Sequence, residues 1–184
     1  MNSILDIIFL RRNNFKNISA SIKDLSTHKK VDQIFKAIKL NSTSGEIRYV
    51  GGCIRKILNN EVVDDIDLAT NLEPQEVCEI LKNNNIKFYE SGIEHGTITA
   101  MIDNFKFEIT TLREDVETDG RHAKIKFSKD WKKDASRRDF TINAISYDPL
   151  TGEQIDPFNG ATDLKCKYLR HISKAVSYTH LRAH

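Results

Sequence analysis

The run Tyr49-Val50-Gly51-Gly52-Cys53-Ile54-Arg55 is followed, after nine intervening residues, by Asp65-Ile66-Asp67-Leu68-Ala69-Thr70. Glu46 to Val50 reads as a strand that stops at two glycines, and Cys53 to Asn59 has the composition of a two-turn helix. Val62 to Ala69 then reads as a second strand, because Val62, Val63, Ile66 and Leu68 flank the acidic residues with apolar ones. Strand, glycine turn, short helix and acidic strand make the unit around which the other segments are read.

On the N-terminal side, Ile4 to Leu10 reads as a short helix. From Ile18 to Leu40 the apolar positions recur at helical spacing, with an interruption at His28-Lys29-Lys30. On the other side, Pro74 to Lys82 is a helix begun by proline, and Ile86 to Tyr89 a short strand. Thr97 to Ile102 and Phe105 to Leu112 follow as a hairpin turning at Asp103-Asn104, two residue types that tolerate positive φ. Phe105, Phe107, Ile109 and Thr111 share one face of the second arm, which leaves Glu108 on the polar face. Arg113 to Lys133 is charged, poor in apolar residues, contains Gly120 and reads as a mobile excursion from the sheet. Helical pattern resumes from Ala135 to Tyr147, and Asp163 to Ile172 holds one more short element. The spacing predicts a helical extension over 1–45, a main unit over 46–172 and a tail over 173–184.

The totals narrow the class. A chain of 184 residues with 29% charged residues and a net charge of +2 carries no global basic field, so any polyanion must be met by a local patch. Cys53, Cys78 and Cys166 are widely separated and lack the C-x-x-C spacing of zinc sites, which favours a reducing cytoplasm. Ile4 to Leu10 is too short to span a bilayer, and Arg11-Arg12 lies on the wrong side for a signal peptide, so no membrane association is expected.

The chemistry is carried by a few groups. On one strand Asp65 and Asp67 would point to the same face, roughly 6 to 7 Å apart along the chain. Such carboxylates suit Mg²⁺, which takes one or two of them and completes its shell with substrate phosphates. Gly51-Gly52 lets the backbone approach a ligand and turn into a helix whose first amides face a phosphate, and Arg55 lies one turn in. Each part alone also reads as something ordinary: a solvated strand edge, a common strand-to-helix turn, a surface arginine. Glu108 is the candidate third acid. In Arg137-Arg138-Asp139-Phe140-Thr141-Ile142-Asn143-Ala144, helical spacing would bring Arg138, Asp139 and Asn143 to one side.

These motifs, in this order and with Glu108-Ile109-Thr110-Thr111-Leu112-Arg113 between them, resemble the head domain of the bacterial class II tRNA nucleotidyltransferase (CCA-adding) and poly(A) polymerase family, over about Glu46 to Ile172. The resemblance implies an α/β (α+β) chain of the DNA polymerase β-like nucleotidyltransferase fold, a mixed β-sheet flanked by helices. It further implies two Mg²⁺ ions on Asp65 and Asp67, beside which Glu108, otherwise a surface glutamate between Lys106 and Thr110, is the candidate third catalytic acid. Triphosphate contacts are implied for Gly51, Gly52 and Arg55, and sugar and phosphate contacts for Arg138, Asp139 and Asn143. The segment with Arg113, Asp115, Thr118, Asp119, Gly120, Arg121 and His122 is similar to the family's flexible nucleotide-positioning loop. The implied reaction adds CMP and AMP, or AMP alone, from CTP and ATP to an RNA 3′ end, tRNA first among the candidates.

Two departures stand out. Lys56 occupies the position after the arginine where the family usually has aspartate. The family's helical neck, body and tail, with the Glu-Asp-x-x-Arg motif that selects the base, find no counterpart beyond Ile172. The alternative expectation is therefore a truncated or split enzyme: an inactive or partner-dependent nucleotide-binding fragment, with a helical partner chain supplying the missing regions.

Overall fold

Seven short strands form the centre of the computed structural model, which describes residues 18–25, 28–116 and 124–172. They are β1 (Ile47–Val50), β2 (Asp67–Thr70), β3 (Lys87–Gly92), β4 (Thr97–Ile102), β5 (Phe105–Thr111), β8 (Ser146–Tyr147) and β9 (Gln154–Ile155). Their order across the sheet is β3-β4-β5-β2-β1-β8-β9. All neighbours run antiparallel except β2 and β5, which are parallel. The sheet is mixed and helices flank it, as the resemblance implies. A separate ribbon pairs β6 (Arg113–Val116) with β7 (Lys124–Phe127).

Period two divides the sheet into a dry face and a polar face. Ile47, Tyr49, Leu68, Ile98, Phe107 and Ile109 point into one hydrophobic cluster. There they meet a helix over 18–24 (α1), α2 (His28–Asn41) and α4 (Pro74–Asn83). Phe35 of α2 stacks on Tyr49 at 5.2 Å between ring centroids. Each aliphatic or aromatic side chain buried here contributes about 1.5–3 kcal/mol. The described part of the N-terminal extension thus shares the core of the main unit. On the other face lie Arg48, Asp67 and Glu108, with Val50, Ala69 and Leu112 in a small second cluster under Trp131.

The hairpin turns where expected, with Asp103 at φ 53°, and α4 carries a capping box between Glu73 and Glu76 behind Pro74. Three expectations are corrected. The second strand begins at Asp67 and not at Val62: residues 61–66 are irregular, Val62 is 86% exposed, and Asp64 bonds Lys56 and the amide of Asp65. Asp65 and Asp67 therefore do not share a strand.

The helix expected over Ala135 to Tyr147 is three elements: α5 (Trp131–Ser136), a 3-10 turn (Thr141–Asn143) and β8. Long-range partners override helical periodicity there. The amide of Thr141 donates to the Arg170 carbonyl at 3.0 Å, and Tyr147 pairs with Tyr49 of β1. Gly160 opens α6 (Gly160–Lys165), and its Cα lies so close to Thr141 that a β-carbon would sit 2.0 Å from the Thr141 carbonyl oxygen. This helix starts three residues before the element expected at Asp163.

Third, the excursion over Arg113 to Lys133 contains regular structure, the β6–β7 ribbon and the start of α5. Asp130 caps α5, its carboxylate accepting from the amides of Lys132 and Lys133. Thr118, Asp119, Gly120, Arg121 and His122, the helix over Ile4 to Leu10 and the 173–184 tail lie outside the described residues. Among the described residues no helix is long and apolar enough to cross a membrane.

Candidate active site

The turn from β1 into α3 (Gly52–Leu58) sets the geometry. Gly51 has φ 65° and ψ −128°, a conformation that side chains with a β-carbon rarely adopt. A β-carbon there would lie 3.2 Å from Nη1 of Arg138, 3.9 Å from Oδ2 of Asp67 and 4.0 Å from the carbonyl oxygen of Asn143. The bare Cα of Gly51 is thus the point where residues from β1, β2 and the 140s meet. The first amides of α3 have no partner within the helix, and no side chain caps them.

Asp67 begins β2 on the polar face, in parallel register with Glu108 of β5. Strand spacing puts their backbones about 4.8 Å apart, with both side chains on the same face. Burial, and secondarily the negative charge of Asp65, holds the Asp67 carboxyl above the usual carboxylate range, while the cations of Arg138 and Lys56 act the other way. Asp67 makes no ion pair or side-chain hydrogen bond among the described residues. Asp65, just before the strand, is exposed, as is Glu108.

Lys56 ion-pairs with Asp64, which raises the lysine and lowers the carboxylate from their ordinary values. The unusual lysine is thereby bound to Asp64, the third acid of the run, and not to Asp65 or Asp67. Among the described residues no three acidic, histidine or cysteine side chains form a ready-made metal cluster. The oxygen donors of Asp65 and Asp67 nevertheless fit Mg²⁺, whose usual protein site is one or two carboxylates completed by phosphate oxygens.

The cationic side is built from three segments. Nη1 of Arg55 donates to Oδ1 of Asn143 at 2.6 Å, and Nη1 of Arg138 donates to the Asn143 carbonyl at 3.3 Å. Arg138 and Asn143 therefore converge as expected, although by a 3-10 turn and not by a helix. Asp139 does not join them: it is exposed, and its carbonyl accepts from the amide of Ile172. The backbone amide of Arg113 donates to Asp134, and its Nη1 donates to the carbonyl of His95 at 2.6 Å. Asp115 lies in β6 opposite Ile125.

Asp134 escaped the sequence reading. Its buried carboxylate accepts from Arg137 and Arg138 as well as from Arg113. An acid three and four residues before two arginines was the available signal. Trp131 was also missed: its indole N–H donates to Glu46 at 2.7 Å, and Arg48, which ion-pairs Glu46 and Glu153, lies 4.7 Å from its ring centroid. This cluster ties the start of α5 to β1.

Behind the turn, the Cys53 thiol donates to the carbonyl of Val50 at 3.1 Å. Burial pushes it up to about 12, so it serves as packing and not as a nucleophile.

The arrangement combines two carboxylates, the guanidinium groups of Arg55 and Arg138 and an open backbone turn at one end of the sheet. The family model described as the poly A polymerase head domain matches residues 47–170. The human mitochondrial CCA tRNA nucleotidyltransferase 1 is 46% identical over 131 residues, covering 71% of this chain and 30% of that protein. The structure of the Bacillus stearothermophilus CCA-adding enzyme in complex with CTP superposes with a TM-score of 0.68 at 28% identity, over 80% of this chain and 34% of that one. A tRNA nucleotidyltransferase complexed with a primer tRNA and an incoming ATP analogue gives 0.59 at 28% identity, over 76% and 39%. This chain thus spans about a third of the length of these relatives. With the fold, the motif order and the family match in agreement, the chain belongs to the poly A polymerase head-domain family.

Proposed function

We propose that this chain is the nucleotidyl-transferring head of a tRNA-processing enzyme, joining CMP and AMP, or AMP alone, from CTP and ATP to the 3′ end of tRNA. The observation that carries the reading is the meeting of Gly51, Asp67, Arg138 and Asn143 within about one side-chain length. The relatives named for CCA addition, the CTP complex and the tRNA complex support nucleotide and RNA as its ligands.

In this reading the triphosphate lies along the Gly51–Gly52 turn, with Arg138 and Arg55 toward its oxygens. The RNA 3′ hydroxyl oxygen bonds to the α-phosphorus as the bond from that phosphorus to the bridging oxygen of the β-phosphate breaks. Pyrophosphate departs, and the hydroxyl proton leaves toward the carboxylates of Asp65 and Asp67. Mg²⁺, held by Asp65 and Asp67 with Glu108 beside them, would supply Lewis-acid stabilisation of the phosphate charge. The guanidinium groups stabilise the charge that develops on pyrophosphate, which is most effective where water is excluded. Arg113 and Asp115 open the ribbon beside the site and are assigned to the incoming nucleotide.

The test is incorporation of labelled CTP and ATP into tRNA lacking its 3′ end, with Mg²⁺, comparing the chain with Asp65→Ala and Asp67→Ala. Incorporation lost in both variants is expected; incorporation unchanged in both rejects the assignment.

A second reading, a nucleotide-binding fragment that depends on a helical partner, is favoured by an open groove of about 650 Å³ between α3, the 3-10 turn and α6. Tyr168 and Leu169 border it and are 69% and 65% exposed. Nucleotide binding without incorporation, restored by adding the helical region of a relative, supports this reading; full activity of the isolated chain refutes it.

A further inference from the structure

We infer that Asp134 is a positioning residue that sets the triphosphate-facing arginine and the start of the β6–β7 ribbon with one buried carboxylate, so that nucleotide grip and ribbon placement are coupled. The inference rests on the nucleotide reading above and adds to it a residue outside the motifs that touch the nucleotide.

The Asp134 side chain is 5% exposed, and both its oxygens are used. Oδ2 accepts from Nε and Nη2 of Arg138 at 3.3 and 3.1 Å, which fixes the guanidinium plane and leaves Nη1 turned toward Gly51 and the Asn143 carbonyl. Oδ1 accepts from Nε of Arg137 at 2.9 Å and from the backbone amide of Arg113 at 3.2 Å, the first residue of β6. Asp134 divides one negative charge between two guanidinium groups, so Arg138 is only partly neutralised by it and its charge also acts on Asp67. Charge-assisted, two-nitrogen contacts of this kind fix direction as well as distance.

The location of Asp134 is itself held. The indole N–H of Trp131, one turn earlier on α5, bonds Glu46 beside β1, and Arg48 packs on its ring. The carboxylate is thereby fixed relative to the same strand that ends in Gly51. Because one fixed carboxylate holds both groups, a change in its contact with Arg138 alters the acceptor of the Arg113 amide, and the reverse.

The experiment compares wild type, Asp134→Asn, Arg138→Ala and the double variant, using a methylanthraniloyl analogue of ATP with Mg²⁺ for affinity and amide hydrogen exchange at Arg113. Trp131 is the sole tryptophan, so its fluorescence reports whether α5 is intact in each variant. Expected are an affinity at least about tenfold weaker for D134N, no further loss when D134N is added to R138A, and faster exchange at Arg113. Unchanged affinity in D134N, or additive losses in the double variant, overturns the inference. If D134N loses the Trp131 signal of the wild type, Arg138→Lys replaces it: the charge is kept and the two-nitrogen fork lost, with a similar tenfold weakening expected and unchanged affinity overturning the inference. A wild type that binds no triphosphate refutes the functional reading instead. The Arg113 exchange then still decides whether Asp134 ties the ribbon, with unchanged exchange in D134N rejecting that tie.

Discussion

Replacing Gly51 by alanine isolates the demand made by the turn at the end of β1. The φ of 65° and ψ of −128° put this residue where a β-carbon strains the backbone, by roughly 1–3 kcal/mol. Loss of glycine's freedom in the unfolded chain offsets about 0.4–1 kcal/mol of that. The added carbon also meets Arg138 Nη1 at 3.2 Å, so the guanidinium must retreat by a few tenths of an ångström. A net loss on the order of 1–2 kcal/mol, or about 2–8 °C in Tm for a chain of this size class, is expected. A displaced charged hydrogen bond, worth about 1.5–3 kcal/mol, weakens triphosphate binding by about tenfold or more.

The neighbouring position is the control. Gly52 has no positive φ, and a β-carbon there meets nothing nearer than Arg55 Nη2 at 4.0 Å. Gly52→Ala should therefore stabilise the fold by about 0.4–1 kcal/mol. Urea denaturation followed by Trp131 fluorescence, with titration of a fluorescent ATP analogue, reads both variants. Equal stability of the two alanine variants, or G51A that binds triphosphate as tightly as wild type, refutes the reasoning.

Three further outcomes are expected. Asp67 has a folded value above its unfolded one, so its ionisation weakens the ligand-free fold above the folded value, and the effect is absent below about 3.9, where both states are protonated. Asp67→Asn should accordingly raise Tm at neutral pH, with the gain shrinking toward acid and absent near pH 3; a gain that persists there contradicts the desolvation argument. Cys53 should resist thiol reagents at pH 8 until the chain unfolds, whereas exposed Cys166 reacts at once, as mass spectrometry of the modified sites can show. Gly160→Ala should destabilise the fold by roughly 3 kcal/mol or more, because the clash at 2.0 Å is with the Thr141 backbone, which cannot rotate away; a Tm within 2 °C of wild type argues against that packing.

Short-range patterns were legible where local chemistry and tertiary contacts agree. The alternation in Phe107, Glu108 and Ile109 placed Glu108 on the polar face, and the sheet keeps it there in register with Asp67. Pro74 and the polar run after Lys82 bounded α4 to within one residue. Where two periods competed, the sequence misled. Phe140, Ile142, Ala144 and Ile145 fit a helix, yet the chain there turns through a 3-10 segment into β8, because Tyr147 fills the core beside Tyr49 and Gly160 abuts Thr141. Val62 and Val63 promised strand, but the ion pair from Lys56 to Asp64 and exposure of Val62 leave that stretch irregular.

By itself, then, the order of residues determined the glycine turn and the family, because each depends on identities a few positions apart. Which groups meet was decided in three dimensions. Asn143 reaches Arg55 across 88 positions of chain, and Asp134 joins Arg138 to the first residue of β6, 21 positions before it. No local period encodes such distances. They arise because β1 and β8 pair and α5 is fastened to Glu46 by Trp131, and that fastening brings Arg55 and Arg138 together on Asn143 beside Asp67.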